Sequence, residues 1–217
     1  MKENLYSDKI DDYFSHVRTD AINLIPEVNR NANMLEIGAG NGSTLVYCKR
    51  NGYAKNIVGI ELCKMEGSLQ DSDEFDDFII GDIENIDLAL KEKSFDVILC
   101  LDVLEHLVNP SSVLQNIKLY LKDDGVLITS IPNIREFKTM ITIFFKGDFK
   151  YADAGILDRT HLRFFCKKNI MDLFIDNHFK IIKITDAKNG KRWILNRFTL
   201  GLFEEFITAQ YYTVLKK

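Results

Sequence analysis

Long apolar runs, paired cysteines and an excess of positive charge are all missing from this 217-residue sequence. No stretch approaches the ~20 apolar residues that cross a bilayer, so a membrane span is excluded. The N-terminal MKENLYSDKIDDYF is polar and mixed in charge, unlike a secretory leader. The four cysteines (Cys48, Cys63, Cys100, Cys166) are scattered, with no CxxC pair. That excludes a disulfide frame and a cysteine-rich zinc site, and it predicts reduced thiols in a cytoplasmic protein. The net charge of −4 speaks against a nucleic-acid partner, whose phosphates need a basic face. Three prolines (Pro26, Pro110, Pro132) leave no Pro-rich linker. The four histidines are dispersed without ligand spacing, so no metal is expected. What remains is a globular mix, 46% hydrophobic and 28% charged, sufficient for one well-buried domain.

The pattern along the chain alternates. Asp11 to Ile25 has helical spacing and stops before Pro26. Asn33 to Ile37 is a short apolar run that ends in a glycine turn. Ser43 to Arg50 reads as a helix closed by Asn51-Gly52. Strand patterns follow at Asn56 to Leu62, Phe78 to Ile80, Phe95 to Leu101 and Gly125 to Ile131, with an amphipathic helix at Pro110 to Leu121. Asn169 to Asn177 looks helical. Lys180 to Thr185 and the segment from about Phe206 to Leu215 look like strands. Strands alternating with helices build a mostly parallel sheet covered on both faces, an α/β Rossmann-like architecture. Its ligand belongs at the carboxyl ends of the strands, near the topological switch point.

Each of the first four strands ends at a carboxylate: Glu36, Glu61, Asp82 and Asp102, the last followed by Glu105 and His106. Such a rim repels a phosphate. The turn in MLEIGAGNGST, Met34 to Thr44, reads G-x-G-x-G at Gly38, Gly40 and Gly42, with Ser43 where a dinucleotide fingerprint wants its third glycine. A cationic ligand carrying a nucleoside suits the rim better. Glu61, about 20 residues past the turn, is placed to accept ribose hydroxyls. Asp82 and Ile83 can frame a base, and Glu36 with Asp102 can hold an ammonium group.

These stretches carry a resemblance. LEIGAGNG, VGIEL, GDIE, FDVILCLDVLEHLVNP and GVLITSIPN, in this order between Met34 and Asn133, resemble the class I S-adenosylmethionine-dependent methyltransferases. The resemblance implies a seven-stranded sheet with its last strand antiparallel and S-adenosylmethionine as cofactor. It implies a binding set of Glu36, Gly38, Ala39, Gly40, Gly42, Glu61, Leu62, Asp82, Ile83, Leu101 and Asp102. GILDRTHLRFF, Gly155 to Phe165, and YFSHVRTDAINLIP resemble a subgroup acting in sugar or small-metabolite pathways. On this reading the chain is one domain, with residues 1–30 a helical cap and residues 134–165 an acceptor-side insertion. Methyl transfer to a hydroxyl of a small-molecule acceptor needs a base, and a histidine titrating near neutral pH suits it. His161 is the first choice and His106 the second.

Plainer readings stand beside these. The glycines can serve a tight turn alone. Asp82 can be a turn or cap residue. His106 can be a loop histidine with a structural hydrogen bond, and Asp158, Thr160, His161 and Arg163 can form a local network, with Asp158 and Arg163 an ordinary ion pair. His16 and His178 read as surface residues. The aromatic run Phe144 to Tyr151 reads as a packed lid or a homodimer surface, and Ile134 to Tyr151 as cover for the acceptor. Two other functional classes stay open: a non-catalytic cofactor-binding protein on the same fold, and a nicotinamide-dependent oxidoreductase.

Overall fold

A computed structural model describes residues 16–86, 88–186 and 203–217. Seven strands form one sheet: β1 Ala32–Ile37, β2 Ala54–Glu61, β3 Asp77–Ile80, β4 Phe95–Leu101, β5 Leu121–Pro132, β6 Lys180–Asp186 and β7 Gln210–Lys216. Their order is β3-β2-β1-β4-β5-β7-β6. β7 runs antiparallel to both β5 and β6, and the other neighbours are parallel. The expected seven-stranded sheet with an antiparallel last strand is what forms.

Side-chain alternation divides the core. Leu35, Ile37, Ile98 and Leu127 face one side, where they pack with Val113, Leu114 and Ile117 of helix α3 (Pro110–Tyr120) and Ile170 and Phe174 of helix α5 (Lys167–Asp176). Met34, Val97, Leu99, Val126 and Ile128 face the other. There they meet Leu45 and Val46 of helix α2 (Ser43–Arg50) and Ala21 and Ile22 of the single turn α1 (Thr19–Ile22). Burial on both faces is why FDVILCL and GVLITSI show no polar alternation.

The chain lays β2 and β3 to one side of β1 and then crosses to put β4 on the other. The carboxyl ends of β1 and β4 therefore flank the switch point, with Glu36 registered beside Leu99 and Ile37 beside Cys100. A crevice opens where connections leave in opposite directions.

Some expectations shift. The helix expected over Asp11 to Ile25 is described only as the turn Thr19–Ile22, and residues 11–15 lie outside the described part. The strand expected from Phe206 begins at Gln210, because Glu204–Ile207 forms a helical turn, α6. Tertiary contacts override the local strand preference there. The buried Asn133 amide donates to the carbonyls of Glu205 (2.6 Å) and Thr208 (2.8 Å), and Arg135 pairs with the Glu205 carboxylate. A helix not expected at all, α4 (Phe137–Lys146), fills much of the segment after β5. The Glu136 carboxylate caps its start by accepting from the Thr139 amide (3.1 Å), and Gly147 closes it at φ +62°.

Candidate active site

The glycine turn uses glycine for two measurable reasons. Gly38, Gly40 and Gly42 have φ of +71°, +55° and +87°. A Cβ at Gly38 would stand 2.4 Å from Val103 Cγ2, and one at Gly42 would stand 2.9 Å from the Phe75 ring. The close approaches at these two positions are thus made by the protein's own side chains. Gly40 is held on both sides: its N–H donates to Glu61 Oε2 (2.7 Å), and its carbonyl accepts from Gln70 Nε2 (2.8 Å).

A cavity of about 580 Å3 opens beyond this turn. That volume suits a nucleoside-sized ligand. It is lined by both candidate histidines and by every residue of the expected binding set except Gly42, which serves the turn behind it. Glu36, at the end of β1, is 2% exposed, and its Oε2 has no hydrogen-bond partner among the described residues. Burial pushes its pKa up to about 8, with Glu61 adding to the rise and Arg18 opposing it. Glu61 ends β2. Its two oxygens accept from the Gly40 and Leu62 amides (2.7 Å each), and burial still raises its pKa. Each oxygen keeps a second lone pair for a ribose hydroxyl. Asp82 behaves first as a turn residue: it accepts from the Glu84 amide (3.0 Å) and from Asn85 Nδ2 (2.9 Å). Ile83 beside it is buried.

Asp102 differs from expectation. Rather than offering a free charge to an ammonium group, it holds a guanidinium. Arg18 Nη1 lies 2.6 Å from Asp102 Oδ2, and Arg18 Nη2 donates to Ser130 Oγ (3.1 Å). Ser130 Oγ and Gln210 Nε2 both donate to Asp102 Oδ1. These contacts hold Asp102 at φ +55°, an uncommon conformation for a residue with a side chain. Arg18 was missed in the sequence. Nothing in SHVRTD separates it from a surface arginine, since its partners lie 84 and 112 residues away.

On the acceptor side the loop Gly155 to Leu162 reaches the cavity, whereas residues 134–151 do not line it. The expected cover is therefore the second half of the insertion. Phe144 and Phe145 lie instead along a separate apolar groove of about 320 Å3, with Phe137, Phe203 and Phe206. The loop is tied down by specific bonds. Leu162 and Arg163 amides donate to the Glu105 carbonyl (2.9 and 3.0 Å). Thr160 N and Oγ1 donate to Asp158 Oδ1 (2.9 and 2.7 Å). Arg163 does not pair with Asp158 as an ion pair. Its Nε donates to the Leu107 carbonyl (3.1 Å) and its Nη2 to that of Val108.

This clamp brings together what the sequence kept apart. His106 and His161 meet edge to face, with ring centroids 4.7 Å apart. His161 is buried, its Nδ1 3.0 Å from the Ile156 carbonyl and its Nε2 4.0 Å from Glu105 Oε1. His106 Nδ1 lies 3.1 Å from the Thr160 carbonyl. A carbonyl only accepts, so each Nδ1 carries its proton. Glu105 is 1% exposed, and neither carboxyl oxygen has a hydrogen-bond partner among the described residues. Burial, then the nearby Asp102 charge, hold its pKa well above the carboxylate range. The expectation of dispersed histidines without ligand spacing is corrected: Glu105, His106 and His161 each offer a ligand atom within 4.8 Å of the others. His16 is exposed at the cavity rim, and His178 is on the surface.

Three comparisons bear on this arrangement. A family model described as a methyltransferase domain matches residues 11–184. The mitochondrial ubiquinone biosynthesis O-methyltransferase of Saccharomyces cerevisiae is 29% identical over 172 residues, 75% of this chain and 52% of the yeast protein. The chain thus spans about half the length of that relative. Among solved structures, a Thermotoga maritima protein described as a SAM-dependent methyltransferase, possible histamine N-methyltransferase, superposes over all of both chains with TM-score 0.64 at 19% identity. A Burkholderia thailandensis 1,6-didemethyltoxoflavin-N1-methyltransferase with bound S-adenosylhomocysteine superposes at TM-score 0.61 and 17% identity, over 99% of this chain and 81% of that one.

Proposed function

The chain belongs to the class I S-adenosylmethionine-dependent methyltransferase family, and from that premise we propose that it methylates a hydroxyl of a small-molecule acceptor. Family membership sets aside the oxidoreductase reading. The observation that carries the proposal is a single cavity with two unlike walls. One wall holds the carboxylates that end β1 and β2, and the other holds the half-buried His106 and the buried His161.

S-adenosylmethionine supplies, when bound, a methyl group already activated by a sulfonium leaving group. The residues present fit it. Glu36 offers a buried, unpartnered carboxyl oxygen to an ammonium, and Glu61 keeps lone pairs for ribose hydroxyls. The chain's remaining task is to align an acceptor and exclude water, which is catalysis by positioning. The Gly155 to Leu162 loop, clamped on the Glu105 carbonyl, provides that wall. His161 is our first choice for the acceptor's proton, because it lines the cavity with its Nδ1–H fixed on the Ile156 carbonyl and its Nε2 4.0 Å from Glu105 Oε1. His106 is the second choice, on the same geometry.

The oxygen acceptor is favoured by relatives named O-methyltransferases, and the sugar or small-metabolite class by the GILDRTHLRFF stretch. We place the described part of the expected 1–30 cap, residues 16–30, over the site through Arg18, residues 1–15 lying outside the described part, and the protein in the cytoplasm, on its four cysteines, none of which is in a disulfide. No described helix is long and apolar enough to cross a membrane. The apolar groove beside α4 leaves room for a homodimer contact. Calorimetric titration with S-adenosylhomocysteine, with NAD as control, tests the cofactor wall. A turnover screen over hydroxylated sugars and small metabolites tests the acceptor. Tight binding without turnover of any hydroxyl acceptor would leave a cofactor-binding protein, and binding of NAD alone would overturn the reading.

A further inference from the structure

The cavity is rich in carboxylates and poor in cations. Glu36, Glu61, Asp82, Asp102 and Glu105 line it, and among the described residues only Arg18 and Arg159 answer them with a permanent positive charge. Arg18 is committed: it holds Asp102 at 2.6 Å and donates to Ser130 Oγ. Arg159 is placed differently. It belongs to the Gly155 to Leu162 loop of the acceptor wall, and its ion-pair partner is Asp153. The two side chains are 53% and 87% exposed. A pair so exposed gains little over two hydrated ions, so Arg159 can change partners at small cost.

The main chain under Arg159 is held firmly. Its amide donates to the Ala152 carbonyl (2.9 Å), the Ala152 amide donates to that of Leu157 (2.8 Å), and Gly155 turns between them at φ +86°. On the other side the Thr160 amide and hydroxyl both donate to the buried Asp158 (2.9 and 2.7 Å). His161 follows two residues after Arg159, so their Cα atoms are at most ~7 Å apart. Both residues line the cavity, and over so short a span they can serve two ends of one small molecule. The guanidinium fork matches an oxyanion, carboxylate or phosphate, through two parallel hydrogen bonds. Elsewhere in the cavity an anion meets carboxylates.

From this geometry we propose that Arg159 selects the acceptor, and that the acceptor is a small hydroxylated oxyanion, a hydroxy acid or a phosphate ester. Its anionic group rests on the Arg159 guanidinium while its hydroxyl is presented toward His161. The inference rests on the methyl-transfer reading above and deepens it by naming the acceptor class. The oxyanion exchanges no atom in the reaction. It fixes the acceptor's position, whereas a neutral acceptor leaves Arg159 paired with Asp153.

The test uses the full chain saturated with S-adenosylhomocysteine, its folding checked by circular dichroism. The probes are matched pairs: hydroxybenzoates against hydroxybenzyl alcohols, and glucuronate and glucose phosphate against glucose. At least one acid should bind on the order of 10- to 100-fold more tightly than its neutral counterpart, the range for a charged hydrogen-bonded pair. Whether the carboxylates or the phosphate show this preference decides between the two oxyanions. Arg159→Ala should erase the preference and leave S-adenosylhomocysteine affinity within about twofold. Asp153→Asn removes the competing carboxylate and should tighten binding of the same acid about two- to fivefold. A merely structural Arg159–Asp153 pair predicts the opposite, since either substitution would then weaken all probes alike. No acid preferred over its neutral counterpart, or a preference that survives Arg159→Ala, overturns the inference and leaves the methyltransferase proposal standing. Failure of the parent to bind S-adenosylhomocysteine removes the functional reading and the inference together.

Discussion

The two walls of the cavity are built differently. The donor wall comes from consecutive strand ends, β1, β2 and β3, with the glycine turn between the first two. Its key contacts are short in sequence: Gly40 to Glu61 spans 21 residues, and Leu62 to Glu61 spans one. The acceptor wall comes from segments that meet only after folding. Thr160 approaches His106 across 54 residues, and Arg18 reaches Asp102 across 84. The donor wall is inherited from the sheet and is set once the strand order is set. The acceptor wall depends on one clamped loop and one N-terminal arginine, so substitutions should separate the two.

The largest expected separation is at His161. His161→Ala should lower turnover by about 10²- to 10⁴-fold, the range for losing an acid–base group. Affinity for S-adenosylhomocysteine should stay within about twofold, because His161 lies on the other wall. Comparable losses in both quantities would show that the walls do not act independently. Next in size is Glu61. Glu61→Ala removes the ribose acceptor and also orphans the Gly40 and Leu62 amides. With charged hydrogen bonds at roughly 1.5–3 kcal/mol, S-adenosylhomocysteine affinity should drop on the order of 10- to 100-fold. An unchanged Kd in a folded variant would remove Glu61 from the binding set.

The same contrast explains what could be read in the sequence. Strand-end carboxylates are legible because a strand ends where its apolar run ends, and Glu36, Glu61 and Asp102 sit at those edges. The helix Ser43–Arg50 and the strand Phe95–Leu101 also fall where pattern and turn residues place them. Helix α4 was hidden because FKTMITIFF is rich in β-branched and aromatic residues, which carry no helical preference. Arg18 was hidden because its pairing is a tertiary event. Glu105 stood in view as the residue before His106, yet its isolation is visible only once burial is known. The meeting of two histidines 55 positions apart needed the Leu162 and Arg163 amides on the Glu105 carbonyl. No local pattern encodes that.

A smaller effect tests whether the donor wall is as self-contained as its short-range contacts suggest. Gly38→Ala meets two separate obstacles: φ of +71°, and Val103 Cγ2 at 2.4 Å. The left-handed backbone alone costs roughly 1–2 kcal/mol for a residue with a Cβ. In the parent the substitution should exceed this in denaturant unfolding, because the valine methyl must move. In a Val103→Ala background, Gly38→Ala should cost no more than the backbone term. Equal costs in the two backgrounds would mean that the β4 side already yields freely, and that the turn does not depend on it.

The smallest expected signal distinguishes two carboxylates that look alike in the sequence. Asp102 has Arg18 as a partner, whereas Glu36 is buried with an orphaned oxygen and a pKa raised to about 8. At neutral pH Glu36 is therefore mostly protonated before binding. A bound ammonium favours its ionised form and lowers its pKa, so binding should release a proton. The sign follows: affinity rises with pH up to about 8 and levels off where Glu36 is already ionised. Titrations of S-adenosylhomocysteine at pH ~7, in two buffers of different ionisation enthalpy, should show release of about one proton by linkage. Glu36→Gln should abolish the buffer dependence, while Arg18→Lys, which keeps the charge beside Asp102, should retain it. Buffer-independent heats in the parent would mean that Glu36 does not meet the ammonium. The cation would then have to be placed elsewhere on the rim.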